Sequence, residues 1–159
     1  MVSLNITSMF KNTVDTQKIQ DKVQRMKTKI LVGYPSGLEH EGKNGEITEA
    51  AELAKQLYYG TAEIPARPFL TDAIEKNKEE IAEALKKEAK REMDGGQANW
   101  DKVGKLAVGK IQEFVRGDYY RENIPNSPRT IEKKGSDKPL IDTSNLINAT
   151  TSIVKGEND

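Results

Sequence analysis

The sequence predicts a mixed α+β domain: a small, mixed, mainly antiparallel sheet packed against two or three helices, with a long extended loop before the C-terminal strand. Three observations carry this expectation. Compact β-branched runs stand far apart in the chain, at Lys29–Tyr34 and at Thr150–Val154. Helical apolar periods fill the interval between them. The resulting order, β-α-β-α-α-α-β, argues for a mixed α+β domain. The 159 residues are sufficient for a single domain, residues 1–159.

Val2, Leu4 and Ile6 alternate with polar residues, the period of a half-buried strand. From Asp15 to Met26 the apolar positions Ile19, Val23 and Met26 recur at i, i+4 and i+7, which predicts a helix with a narrow apolar stripe. Lys29–Tyr34 reads as a central strand ended by Pro35 and Gly37. Residues 36–47 contain Gly37, Gly42, Gly45 and the lone histidine, and read as a mobile, partner-reaching loop. Thr48 suits an N-cap, followed by a short helix whose face carries Ala50, Ala51, Leu53, Ala54, Leu57 and Tyr58.

Gly60 to Leu70 is a hinge. Gly60 can adopt the positive φ that ends a helix after Tyr59. Pro65 and Pro68 push Ile64 and Arg67 into extended backbone, and Pro68 suits the first position of the next helix. Ile64, Phe69 and Leu70 are the apolar anchors. The following helix runs from Pro68 to about Met93, with Leu70, Ile74, Ile81, Leu85 and Ala89 on one face and a solvated Glu/Lys surface elsewhere. Asn99 caps a further helix, Trp100–Arg116, whose inward face carries Trp100, Val103, Ala107, Ile111 and Phe114. Gly104 and Gly109 predict a close approach of that helix to another backbone. Pro125, Pro128, Gly135 and Pro139 then mark residues 118–139 as an extended arm that reaches a partner. A turn capped by Thr143, a final strand and a disordered tail at 156–159 complete the chain.

Composition narrows the function. Apolar residues make up 35% and charged residues 31%, so the core is modest and much surface is solvated or buried against partners. Lys plus Arg and Asp plus Glu are 25 each, which argues against whole-domain affinity for nucleic acid or an anionic membrane. With no cysteine, disulfides, thiolate catalysis and Cys-based metal sites are excluded. No apolar run approaches the roughly 20 residues of a membrane span. The N-terminus has no signal-peptide core, so synthesis is expected in the cytosol.

Chemistry-bearing motifs are sparse. Glu39-His40-Glu41 joins the lone histidine to carboxylates, but sequence-adjacent groups in a glycine-rich loop read as solvated surface. Gly33-Tyr34-Pro35-Ser36-Gly37 follows a strand yet lacks the lysine and the following helix of a phosphate loop. No catalytic, cofactor or metal site is expected. Tyr58-Tyr59, next to Gly60, and Tyr119-Tyr120, two residues after Gly117, suit either cover for the sheet or an interface core.

Two longer stretches carry a family resemblance. The first is Leu57-Tyr58-Tyr59-Gly60-Thr61-Ala62-Glu63-Ile64-Pro65-Ala66-Arg67-Pro68-Phe69-Leu70, ahead of a helix. The second runs from Ile124-Pro125-Asn126-Ser127-Pro128-Arg129 through Lys133-Lys134-Gly135 to Pro139-Leu140-Ile141-Asp142-Thr143. Together they resemble the signatures of tailed-bacteriophage neck and tail-completion proteins, including the HK97-type minor tail component and the Mu-like virion morphogenesis proteins. The resemblance spans about residues 29 to 155. This sequence departs from it at Ser144, where the family commonly has Gly, and at Tyr58-Tyr59, where a polar pair is usual.

The resemblance implies a structural protein of the virion, made in the bacterial host cytoplasm, that acts at the head–tail joint without catalysing a reaction. Its partners would be other phage neck, connector and tail proteins, with a homo-oligomer in the virion as a further expectation and neither membrane nor specific nucleic acid involved. It assigns packing or assembly roles to Tyr58, Tyr59, Gly60, Thr61, Ile64, Pro65, Arg67, Pro68 and Phe69. It assigns partner contact to Arg129, Lys133, Lys134, Gly135, Leu140, Asp142 and Thr143. Two alternatives stand beside it: a tail-terminator ring protein, and a small nucleic-acid-binding regulator using Arg129, Lys133 and Lys134.

Overall fold

A computed structural model of the chain describes residues 2–4, 28–41, 47–141 and 144–156. The expected helix at 15–26, Ile6, Asp142, Thr143 and the last residues of the tail, 157–159, lie outside the described residues.

The fold is α+β, with a small antiparallel sheet packed against helices. Its strands are β1 (Val2–Leu4), β2 (Lys29–Gly33) and β5 (Thr151–Lys155), ordered β1-β2-β5 with β2 in the centre. Both ladders are antiparallel, so the sheet is uniform rather than mixed among the described residues; Val32 lies opposite Val2 on one side and Ser152 on the other. Ile30 and Val32 are fully buried, while Leu31 between them is half-buried, the alternation of a sheet covered on one face.

The cover is a helix at Trp100–Arg116. Among the described residues it is the fourth in chain order, after α1 (Ala50–Tyr59), α2 (Phe69–Lys76) and α3 (Lys78–Met93), and is called α4. Trp100, Val103, Ala107, Ile111 and Phe114 are buried, as their spacing requires. The Asn99 side chain accepts from the Lys102 N–H at 3.0 Å, the expected cap. At Gly104 the close neighbour is a side chain of β5 rather than a backbone: a Cβ there would lie 2.5 Å from Ser152 Oγ and 2.8 Å from its Cβ. Gly109 is different. It faces open space, so its glycine serves no packing need.

The long helix expected from Pro68 to Met93 is two helices. Asn77 interrupts it, its side-chain amide donating to the Ala73 carbonyl at 2.8 Å and so drawing on an acceptor of the helical ladder. Nor is the surface of α3 uniformly solvated. Buried Glu88 accepts from the Asn99 N–H at 2.9 Å, and Glu92 accepts from the Trp100 indole at 2.9 Å, so two carboxylates hold the start of α4.

Two segments read as loops contain regular elements among their described residues. Within 36–47, β3 (Glu39–Glu41) pairs with β4 (Ile47–Glu49), and Thr48 is a strand residue rather than a helix cap. The first N–H of α1, at Ala50, donates instead to the Leu38 carbonyl at 2.7 Å. Residues 118–139 are not an extended arm. They contain α5 (Tyr119–Asn123) and α6 (Pro128–Lys134). Pro128 stands in the first turn of α6, where no N–H is needed, and Gly135 at φ +68° closes it. A short α7 (Asn145–Asn148) then leads to β5, preceded by Ser144 at φ 63°, a left-handed conformation more comfortable for glycine.

Candidate functional site

The hinge folds on its own backbone before it touches the rest of the chain. Gly60 has φ +78°, and a Cβ there would lie 2.8 Å from both the Ala66 nitrogen and the Ile64 carbonyl oxygen. Glycine is therefore required twice over, by angle and by space. The Thr61 N–H donates to the Ile64 carbonyl at 2.8 Å, and the Thr61 hydroxyl accepts from the Ile64 N–H at 3.1 Å. Pro68 is the central residue of a tight turn closed by the Phe69 N–H on the Arg67 carbonyl at 2.7 Å. Pro68 thus caps α2 and the helix begins at Phe69, one residue later than expected.

Phe69 is the anchor of this turn, with 1% of its surface exposed. Its ring meets Tyr34 and Tyr58 edge to face, with centroids 6.3 and 6.2 Å away. Ile64 is not an anchor. It is half-buried and contributes its backbone, while Pro65 beside it is exposed.

Arg67 is the centre of the site. The residue is 3% exposed, and its backbone N–H donates to the Leu57 carbonyl at 3.0 Å. Its Nε donates to the Ile124 carbonyl at 3.0 Å and its Nη2 to the Pro125 carbonyl at 3.1 Å, with the Asn126 side-chain oxygen at 3.4 Å. The planar guanidinium suits this forked grip on successive oxygens. Burial lowers its pKa from the ordinary arginine value, yet a guanidinium stays charged in this range. A second tie runs alongside: the buried Tyr120 hydroxyl donates to the Asp72 carboxylate in the first turn of α2. Burial first, then this bond and the Asp72 charge, raise the Tyr120 pKa far above that of a free phenol. Tyr34 is also held neutral. Burial pushes it up to about 12, partly offset by the Thr150 hydroxyl donating to it at 2.9 Å.

Beside the hinge a groove of about 370 Å³ opens between α1 and the start of α2, lined by Tyr34, Ala51, Ala54, Lys55, Tyr58, Tyr59 and Leu70. The Tyr58 hydroxyl is engaged with Thr71, whereas Tyr59, the last residue of α1, is 73% exposed.

The residues assigned to partner contact divide. Arg129 and Lys133 are exposed on α6. Lys134 is turned inward and donates to the Lys138 carbonyl at 3.0 Å, while Lys138 reaches the Arg116 carbonyl at the end of α4 at 3.3 Å. Leu140 belongs to the core at 9% exposure, and Gly135 is a helix terminator. The basic surface is therefore smaller than the sequence suggests, because two of its lysines satisfy carbonyls within the fold. Glu39-His40-Glu41 lies in a strand, and no group of three or more His, Asp or Glu side chains converges on a metal-sized site among the described residues.

Sequence reading missed Asp72, Thr71 and Thr150 as partners of the tyrosines. Nothing in their local pattern marks them; the contacts span 13 to 116 residues. No protein-family model, curated protein or solved structure matches this chain.

Proposed function

We propose that this chain is a structural virion protein of a tailed phage or prophage, acting at the head–tail joint as a neck or tail-completion component through protein–protein docking. One observation carries the reading. The two stretches that resemble the family's signatures, separated by more than fifty residues, meet in space: Arg67 of the first grips the Ile124 and Pro125 carbonyls that open the second. Neutral oxygens surround this arginine, and the adjoining Tyr120–Asp72 bond fastens α5 to α2, an arrangement suited to rigidity. The second stretch presents Arg129 and Lys133 outward on a helix that buries none of its own residues. Such a surface is free to be covered by a neighbouring subunit. Among the described residues no helix is long and apolar enough to cross a membrane.

The test is electron microscopy of particles assembled without this protein. Filled heads and complete tails that remain separate are the expected result. Normal infectious particles would overturn the proposal.

A further inference from the structure

Two strand faces of this chain carry opposite charge, and we infer that they dock on one another between copies: the β3–β4 hairpin of one copy on the open sheet face of the next. The inference does not rest on the virion reading. Ile30 and Ser152 point toward α4, where Gly104 meets both. Alternation therefore puts Lys29, Leu31, Ile153 and Lys155 on the sheet's other face. There Lys29 stands directly opposite Lys155, and Leu31 opposite Ile153, which is 36% exposed. None of the five residues of β5 is buried.

The hairpin repeats this pattern with the sign reversed. Glu39 stands opposite Glu49 and Glu41 opposite Ile47, all on one face by the same alternation. Ile47 is 66% exposed. Glu49 accepts from the Gly37 N–H at 2.9 Å, but no cation pairs with it or with Glu39 among the described residues. No carboxylate pairs there with Lys29 or Lys155 either. Like charges directly opposite on paired strands repel. Each pair is thus unfavourable in the isolated chain, and each is the counter-charge the other lacks.

Laying one copy's hairpin on the next copy's sheet sets Glu39 and Glu49 over Lys29 and Lys155. One two-residue step along the strands, the same in both faces, then sets Ile47 against Ile153. A foreign basic partner would answer the hairpin alone. A second copy answers both faces, whether the contact is used reciprocally in a pair or once per copy around a ring. Exposed ion pairs are weak and screened by salt, so the contact is of low affinity and salt-sensitive.

Sedimentation equilibrium at up to about 1 mM protein, with salt raised from about 50 mM to about 500 mM, tests this. Wild type is expected to associate reversibly at low salt and to dissociate as salt rises. Ile47→Ser should weaken the association. The double variants Lys29→Glu/Lys155→Glu and Glu39→Lys/Glu49→Lys each keep a like-charged cross-strand pair, so the fold meets the same repulsion as in wild type. Alone, each should lose about tenfold or more in affinity at low salt. Mixed, they should associate again, because the reversed hairpin of one meets the reversed sheet of the other. If a double variant fails to fold by circular dichroism, the salt dependence of wild type and the Ile47→Ser variant decide. A wild-type chain that stays monomeric at about 1 mM and low salt overturns the inference. So does an association that neither salt nor charge reversal changes, or a pair of folded double variants that stay apart when mixed.

Discussion

The hinge at 60–70 and the segment at 118–139 use the same residue types for opposite ends. Both are punctuated by prolines and a glycine at positive φ. In the hinge these residues hold an extended crossing, where a Cβ at Gly60 would fall 2.8 Å from two backbone atoms and Phe69 is sunk in the core. In the second segment Pro128 and Gly135 bound a helix, and a Cβ at Gly135 would meet nothing within 4 Å. Breaker residues therefore mark where a helix begins and ends as readily as they forbid one. What separates the regions energetically is burial. The hinge is tied into the core by a ring and a guanidinium, whereas α6 buries no residue and depends on its caps. The hinge should open only with global unfolding, and α6 locally and early.

The largest expected effects lie at the hinge. Phe69→Ala should lower the unfolding free energy by about 3–5 kcal/mol in denaturant titration, and Arg67→Ala by about 2–3 kcal/mol, because partly buried carbonyls lose a charged donor. Arg67→Lys should recover little, since an ammonium cannot reproduce the fork. An Arg67→Ala protein of undiminished stability that fails only in assembly would give Arg67 a partner-facing role instead of a structural one.

Alkaline pH probes the same core through Tyr34, which packs on Phe69. Its pKa is raised on folding, so the folded state holds the proton more tightly. The associated stability is complete below about pH 10 and is lost as pH rises through about 12. Tyr34→Phe should flatten that part of the stability curve in thermal melts at graded pH; an unchanged slope would move its source elsewhere.

Smaller effects belong to α6. Ser127, whose hydroxyl accepts from the Thr130 N–H at 3.2 Å, caps the helix. Ser127→Ala should cost α6 about 1 kcal/mol and appear as faster amide exchange at residues 130–135 with little change in the global midpoint. A large drop in the midpoint would make α6 part of the cooperative core and erase the contrast. The smallest change is a gain. Ser144→Gly should stabilise by up to about 1 kcal/mol by relieving a left-handed serine, provided its side chain contributes little.

Much of the fold was legible where the controlling interaction is local. Helix α4 announced itself by period, its Asn99 cap by residue type, and Gly60 and the central strand by backbone preference. The candidate site was legible only in outline. Tyr58 to Phe69 stood out as a block, but nothing adjacent to Arg67 showed that its acceptors are carbonyls 57 and 58 residues away. The start of α1 was misplaced because its first N–H is satisfied by Leu38 rather than by Thr48. The Lys133-Lys134 pair read as one basic feature, although the two side chains point to solvent and to the Lys138 carbonyl respectively.

By itself, then, the sequence determined the α+β class, the buried face of α4, the central strand and the places where glycine and proline turn the chain, since each follows from dihedral limits or short-period apolar spacing. The tertiary structure alone decided that 118–139 coils into helices, that Asn77 splits the long helix, that Tyr120 closes on Asp72 and that Arg67 joins the two motif stretches. Those outcomes depend on which distant groups compete for each polar atom once water is excluded, and that competition is settled only when the chain has packed.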